Sequence, residues 1–210
     1  MRKRSRHARL VDKIRNRERD MEDLLFSDTV VIGVGNTILS DEGVGVHAAR
    51  LLQNDPRMPP GVTILDGGTI GLELIPYALD ASRVLLLDAM KSGKAPGTLA
   101  RMTGTDLLGT TGGWSAHQLG VADLIAALFL VSTHPQDIVV LGVQPAITDW
   151  GTSLSPEVEA ALAPLVDAAL VQLQVWKESR DASLKIDSSS SPPGPARERT
   201  LSEPCEEGGL

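Results

Sequence analysis

VVIGVGNTILSDEGVGVHAA, Val30 to Ala49, is the stretch whose reading decides the fold. An apolar β-type run breaks into a glycine-rich loop with two adjacent carboxylates, Asp41 and Glu42, and a helix-compatible segment follows. Strand, Gly-rich loop and helix in that order open a wound α/β sheet. Such loops often cradle phosphate, because bare backbone N–H groups and a helix N-terminus attract anions. Here negative side chains stand where a pyrophosphate would sit, so the loop reads as a site for a cation. The dinucleotide fingerprint is also incomplete: Gly33 and Gly35 fit it, but Ile38 occupies the third glycine position. No nucleotide cofactor is expected.

Outward from this stretch, short β-rich runs alternate with helical patterns. Strands are expected at Thr29–Gly35, Val62–Asp66, Arg83–Asp88, Gly97–Met102 and Asp137–Gln144. Most are continuous apolar runs, as in strands covered on both faces. Helices fit Gly43–Gln53, a short piece near Gly71–Leu79, Gln118–Leu130 and Pro156–Lys177. In the first, Val44, Ala48 and Leu51 follow helical spacing and are expected to pack on the sheet. Ser155-Pro156 supplies an N-cap and a proline at the first helical position of the last, and Pro164 is expected to kink or divide that helix. The fold class is therefore α/β: a single three-layer domain with a mostly parallel, wound sheet flanked by helices.

Composition sets the limits. The 210 residues are 42% hydrophobic and 22% charged, which suits one domain with loose ends, and only 3% aromatic, so Leu, Val, Ile and Ala must build the core. The one cysteine, Cys205, excludes an internal disulfide and a multi-cysteine zinc site. Of 20 basic and 27 acidic side chains, nine and five fall in residues 1–27 and four and seven in residues 178–210. Seven and fifteen remain between Asp28 and Lys177, a formal net of −8. That acidity argues against a nucleic-acid partner. Residues 1–27 read as a basic, flexible N-terminal arm, residues 28–177 as the α/β domain, and residues 178–210 as a disordered Ser/Pro/Glu-rich tail. The arm has no apolar core of a secretory signal, and no apolar run approaches the roughly 18 residues of a membrane helix. A cytoplasmic monomer without membrane insertion is the expectation.

Three polar positions converge. Glu42 lies in the loop leaving the first strand, Asp88 ends RVLLLD at the carboxyl edge of the third, and His117 precedes a helix in TGGWSAHQLG. Ligands collect at the carboxyl ends of strands in wound sheets. Two carboxylates and an imidazole there make a three-ligand set for a divalent transition metal. Each residue also has a plainer reading. Glu42 beside Asp41 favours the N-terminus of the next helix, Asp88 caps the turn into Ala89 and Met90, and a lone His is usually structural. His7, His47 and His134 look ordinary. The nucleophile elbow and Walker A motif are absent, and Asp66-Gly67-Gly68-Thr69 reads as a turn after the second strand.

The segments GVGNTILSDEGVGVHAARLL, TILDGGTIGLELIPYALDASRVLLLDAMKSGKAPGTL, SAHQLGVADLIAAL and VVLGVQPAITDWGTSLSPEVEAAL resemble, in order from about Val30 to Leu173, the nickel–iron hydrogenase maturation proteases. The resemblance implies an α/β endopeptidase that removes the C-terminal extension of the nickel–iron hydrogenase large-subunit precursor after nickel insertion. It implies that Glu42, Asp88 and His117 are the metal-contacting and catalytic residues, with Asp41 a further catalytic candidate. The nickel it implies is supplied by the substrate precursor. Two mechanisms stay open at this stage: the nickel polarises the scissile carbonyl or activates water, or it only positions the peptide while Asp41 or another carboxylate moves the proton. The alternative function is a non-catalytic, nickel-dependent chaperone or binding module for the large subunit. Substrate choice is expected in the loops Gly104–Trp114 and Thr148–Ser153.

Overall fold

Among the described residues, five strands form one sheet in the order β2-β1-β3-β5-β4. They are β1 (Thr29–Val34), β2 (Val62–Gly68), β3 (Arg83–Ala89), β4 (Leu99–Thr103) and β5 (Asp137–Val143). β1 runs parallel to β2 and β3, and β3 parallel to β5; β4 alone is antiparallel, on β5. The computed structural model describes residues 27–69, 71–109, 116–132 and 137–189. The basic arm up to residue 26, the TGGWS segment and His134 lie outside these residues, as does everything beyond Ser189.

Helices cover both faces: α1 (Val44–Leu52), α2 (Ile75–Ala78), α3 (Gly104–Gly109), α4 (Ala116–Val131) and α5 (Pro156–Ser189). Strand alternation divides the core in two. Val31, Leu85, Leu87, Val139 and Leu141 pack with Val44, Ala48 and Leu52 of α1 and with Val158, Leu165, Ala169 and Leu173 of α5. Val30, Ile32, Val84, Leu86, Ile138 and Val140 pack on the other face with Ala78 of α2 and Val121, Leu124, Ile125 and Leu128 of α4. The three-layer wound architecture expected from the sequence is therefore present. The central strands are covered on both sides, which is why they read as unbroken apolar runs.

Several local expectations are corrected. Leu51 is half exposed and Leu52 takes the core position, because Val44, Ala48 and Leu52 share a face at a strict four-residue interval. β2 continues through Gly68, with a register shift opposite Gly33 and Val34, so Asp66 and the glycines after it belong to a bulged strand end rather than a turn. Gly104–Gly109, expected as loop, is helical.

Pro164 neither ends nor divides α5, which runs on past Lys177 to Ser189. Pro164 and Ala160, whose carbonyl loses its donor, both lie on the exposed side, so the missing hydrogen bond falls on the solvent side of the helix rather than in the core. A boundary between two units falls at Lys177/Glu178. Residues 178–189 contain no glycine or proline to break the helix, although Ser and Asp, weaker helix formers, fill six of the twelve positions. The stretch Pro156–Ala182 is long and apolar enough to cross a membrane by length and composition, against the sequence expectation. The burial of Val158, Ala161, Leu165, Ala169, Leu173 and Trp176 in the core accounts for that composition.

Candidate active site

The chain goes one way from β1, to β2, and later returns to the other side of β1 as β3. The crevice at the carboxyl ends of β1 and β3 is thus the topological switch point, where wound sheets bind ligands. Both sequence-predicted carboxylates are there. β1 leaves through Gly35, whose φ of +139° lies outside the range of L side chains; a Cβ there would run into the Glu42 carbonyl oxygen. The following 3-10 turn, Ser40–Gly43, carries Glu42, which is partly exposed, and packs against β3. α1 then lies so close to the sheet that a Cβ on Gly45 would overlap the carbonyl oxygens of Val34 and Leu87. The glycines of the loop therefore serve close backbone approach, which is why they imitate half of a dinucleotide fingerprint.

Asp88, next to last in β3, is buried. Alternation along the strand puts it on the face of Val84 and Leu86, the face that α4 covers. Its Oδ1 accepts the Ala89 N–H at 2.7 Å, but β3 runs on through Ala89, which pairs with Val143, so the expected turn-capping role is corrected to a bond within the strand end.

α4 runs antiparallel to the strands. Near its start, Gly120 lies beside Gly71, just after the carboxyl end of β2; at its end, the Ser132 hydroxyl donates to the Leu79 carbonyl, shortly before β3 begins. His117 is in the first turn of α4, so its backbone belongs to the carboxyl edge of the sheet with Glu42 and Asp88. Its side chain lies outside the described residues. Among the described residues no three His, Cys, Asp or Glu side chains are gathered tightly enough to hold a metal ion.

Asp41 takes a different place from its neighbour Glu42. It is fully buried, and its two oxygens accept four hydrogen bonds from one distant segment. Oδ1 takes the Ser155 N–H at 2.6 Å; Oδ2 takes the Ala146 and Ile147 N–H groups and the Ser155 hydroxyl, each at 2.8 Å. Burial alone would raise its pKa. The Ser155 and Ile147 amides, the Ser155 hydroxyl and the Ala146 amide together outweigh that and hold the carboxyl below its ordinary value. Ser155, expected to cap α5, gives its hydroxyl to Asp41 instead.

Four further contacts stitch the same two segments. Ser40 N–H donates to the Gly151 carbonyl, Gly151 N–H to the Ile38 carbonyl, Asp41 N–H to the Ile147 carbonyl, and the Ser40 hydroxyl to the Asp149 carbonyl, at 2.8 to 3.1 Å. They hold Ser40 at φ +48°, a left-handed conformation that costs a non-glycine residue about 1 kcal/mol.

Sequence reasoning missed two other features. Arg50 on α1 binds Asp66 at 2.8 Å, fixing the end of β2 beside the crevice. An open groove of about 710 Å³ lies between α1 and the start of α5, with the exposed Leu51 in its wall beside His47 and Arg50. The available signal was the polar side of α1, where His47 and Arg50 stand.

Residues 46–172 match the family described as HycI, hydrogenase maturation protease. The chain belongs to the hydrogenase maturation protease family. The hydrogenase expression/formation protein HupD of Bradyrhizobium diazoefficiens is 38% identical over 150 residues, covering 70% of this chain and 78% of that one. The hydrogenase 2 maturation protease of Escherichia coli is 35% identical over 147 residues, 69% of this chain and 90% of the relative. The solved structure of the hydrogenase maturating endopeptidase HybD from E. coli superimposes with a TM-score of 0.63 at 34% identity, covering 70% of this chain and 91% of that chain. This maturation protease is an endopeptidase with the fold of those relatives.

Proposed function

We propose that this endopeptidase removes the C-terminal extension of a nickel–iron hydrogenase large-subunit precursor once nickel has been inserted, and that Glu42, Asp88 and His117 contact that nickel. The metal arrives with the substrate. Carboxylate oxygens and an imidazole nitrogen suit a divalent nickel ion. The observation that carries the reading is the position of Glu42, in the 3-10 turn that follows β1, and of Asp88, at the end of the neighbouring β3, at the switch point of a maturation-protease fold. Water adds to the scissile carbonyl carbon and the C–N bond breaks, with the proton passing to the new amine. Proton transfer is not assigned to Asp41, whose oxygens are already engaged by four donors. The chaperone reading is not favoured, since the relatives are proteases by name.

The test is an intact-mass assay on nickel-loaded and nickel-free precursor with wild type and His117→Ala. A defined C-terminal loss only with nickel and His117 supports the reading. Cleavage without nickel removes the metal-sensing role; binding without any mass loss returns the chaperone.

A further inference from the structure

Trp150 is 81% exposed, at the tip of a loop that is otherwise held tightly to the body. The residue after it, Gly151, pairs with Leu39 in a parallel bridge and exchanges backbone hydrogen bonds with Ile38 and Ser40. Its neighbours Ile147 and Ile38 are also about half exposed, so three apolar side chains stand on the two stitched segments. Mobile loops often expose apolar side chains. Here the loop is anchored by a buried carboxylate with four donors, and the residue beside that carboxylate in sequence is Glu42. A rigid aromatic in water loses little conformational freedom when a partner covers it, which makes it a good anchor.

We propose that Trp150 is a specificity-determining residue that takes an apolar segment of the precursor, and that Asp41 is the positioning residue holding the Trp150 loop in register with Glu42. This rests on the maturation-protease reading and deepens it. The partner is the substrate rather than a second copy of this chain, because the segment that carries Ile147 and Trp150 is hydrogen-bonded directly to Ser40 and Asp41 of the turn that carries Glu42. Asp41 acts through the loop and through its neighbour, and touches no reacting atom.

The experiment measures cleavage kinetics and precursor binding for wild type, Trp150→Ala, Trp150→Phe and Asp41→Asn, with nickel-loaded precursor. Trp150→Ala is expected to raise KM and Kd about 10-fold, with kcat within about twofold. Trp150→Phe recovers most of the loss, and Asp41→Asn raises KM and lowers kcat together. An unchanged KM and Kd in Trp150→Ala overturns the proposal even if wild type cleaves normally. So does an unchanged KM accompanied by loss of self-association, which would make Trp150 a contact between copies. If wild type binds precursor without cutting it, the protease reading falls alone and the Trp150→Ala binding ratio still decides. If wild type neither binds nor cuts, both fall.

Discussion

The Asp41 carboxylate accepts both the backbone amide and the hydroxyl of Ser155, at 2.6 and 2.8 Å, and so joins the turn that carries Glu42 to the start of α5. The two residues are 114 positions apart. The chain between them includes β2, β3, β4 and β5, so this contact forms only when the sheet is complete. The carboxyl-edge loops are thereby made to depend on the whole fold.

Asp41→Asn therefore destabilises the domain, by about 3 kcal/mol at neutral pH, because an amide presents a donor to groups that are all donors. The pH dependence has a definite sign. The folded pKa of Asp41 lies below its ordinary 3.8, so its contribution is full above about pH 4 and fades as pH falls through the lower folded value. Urea unfolding at pH 7 and pH 3 checks this. The stability gap between wild type and variant narrows in acid, while carboxylates common to both proteins cancel. A gap independent of pH would show that Asp41 is not ionised in the clamp.

Gly45→Ala tests the close approach of α1 to the sheet. The new methyl meets the carbonyl oxygens of Val34 and Leu87, which are backbone atoms of two central strands and have no room to retreat. Overpacking against such a frame costs about 3 kcal/mol, and thermal unfolding should fall by about 10 °C. A melting point within about 2 °C of wild type would mean that α1 slides freely on β1 and β3.

Much of this was legible in the sequence, for stated reasons. Val84 to Leu87 are apolar without a break because helices cover both faces of β3, and the same run ends in Asp88 at the crevice. Glu42 was placed by the loop that follows VVIGV. The role of Asp41 was not legible, because its partners Ala146, Ile147 and Ser155 are more than a hundred residues away and none is charged. Periodicity did not separate Leu51 from Leu52, since both are one step from the same helical stripe. Exposure of Trp150 runs against the burial expected of its residue type, so only the folded chain reveals it.

Glu42→Gln, Asp88→Asn and His117→Ala should each lower kcat/KM for nickel-loaded precursor by about 100-fold or more, since each removes a charge or donor set from the proposed nickel contact. Thermal stability separates their roles. Glu42 is partly exposed and its loss leaves unfolding within about 0.5 kcal/mol. Asp88 is buried and bonded to the Ala89 amide, so Asp88→Asn loses stability as well as activity. A Glu42→Gln protein that cleaves at the wild-type rate would remove Glu42 from the site.

Pro164→Ala should stabilise the protein. α5 passes through Pro164 without ending, so the alanine finds a helical conformation already in place and supplies the N–H that the Ala160 carbonyl lacks. Proline in a helix interior is about 3 kcal/mol worse than alanine, while the stiffness it gives the unfolded chain returns up to about 1 kcal/mol. The net gain is about 2 kcal/mol, read as a rise of several degrees in the melting point. One contact opposes it: the Pro164 ring lines a shallow hollow of about 370 Å³ with Pro96 and Leu99. If the variant melts lower than wild type, packing in that hollow outweighs the helix hydrogen bond, and the proline is there to seat α5 against the approach to β4.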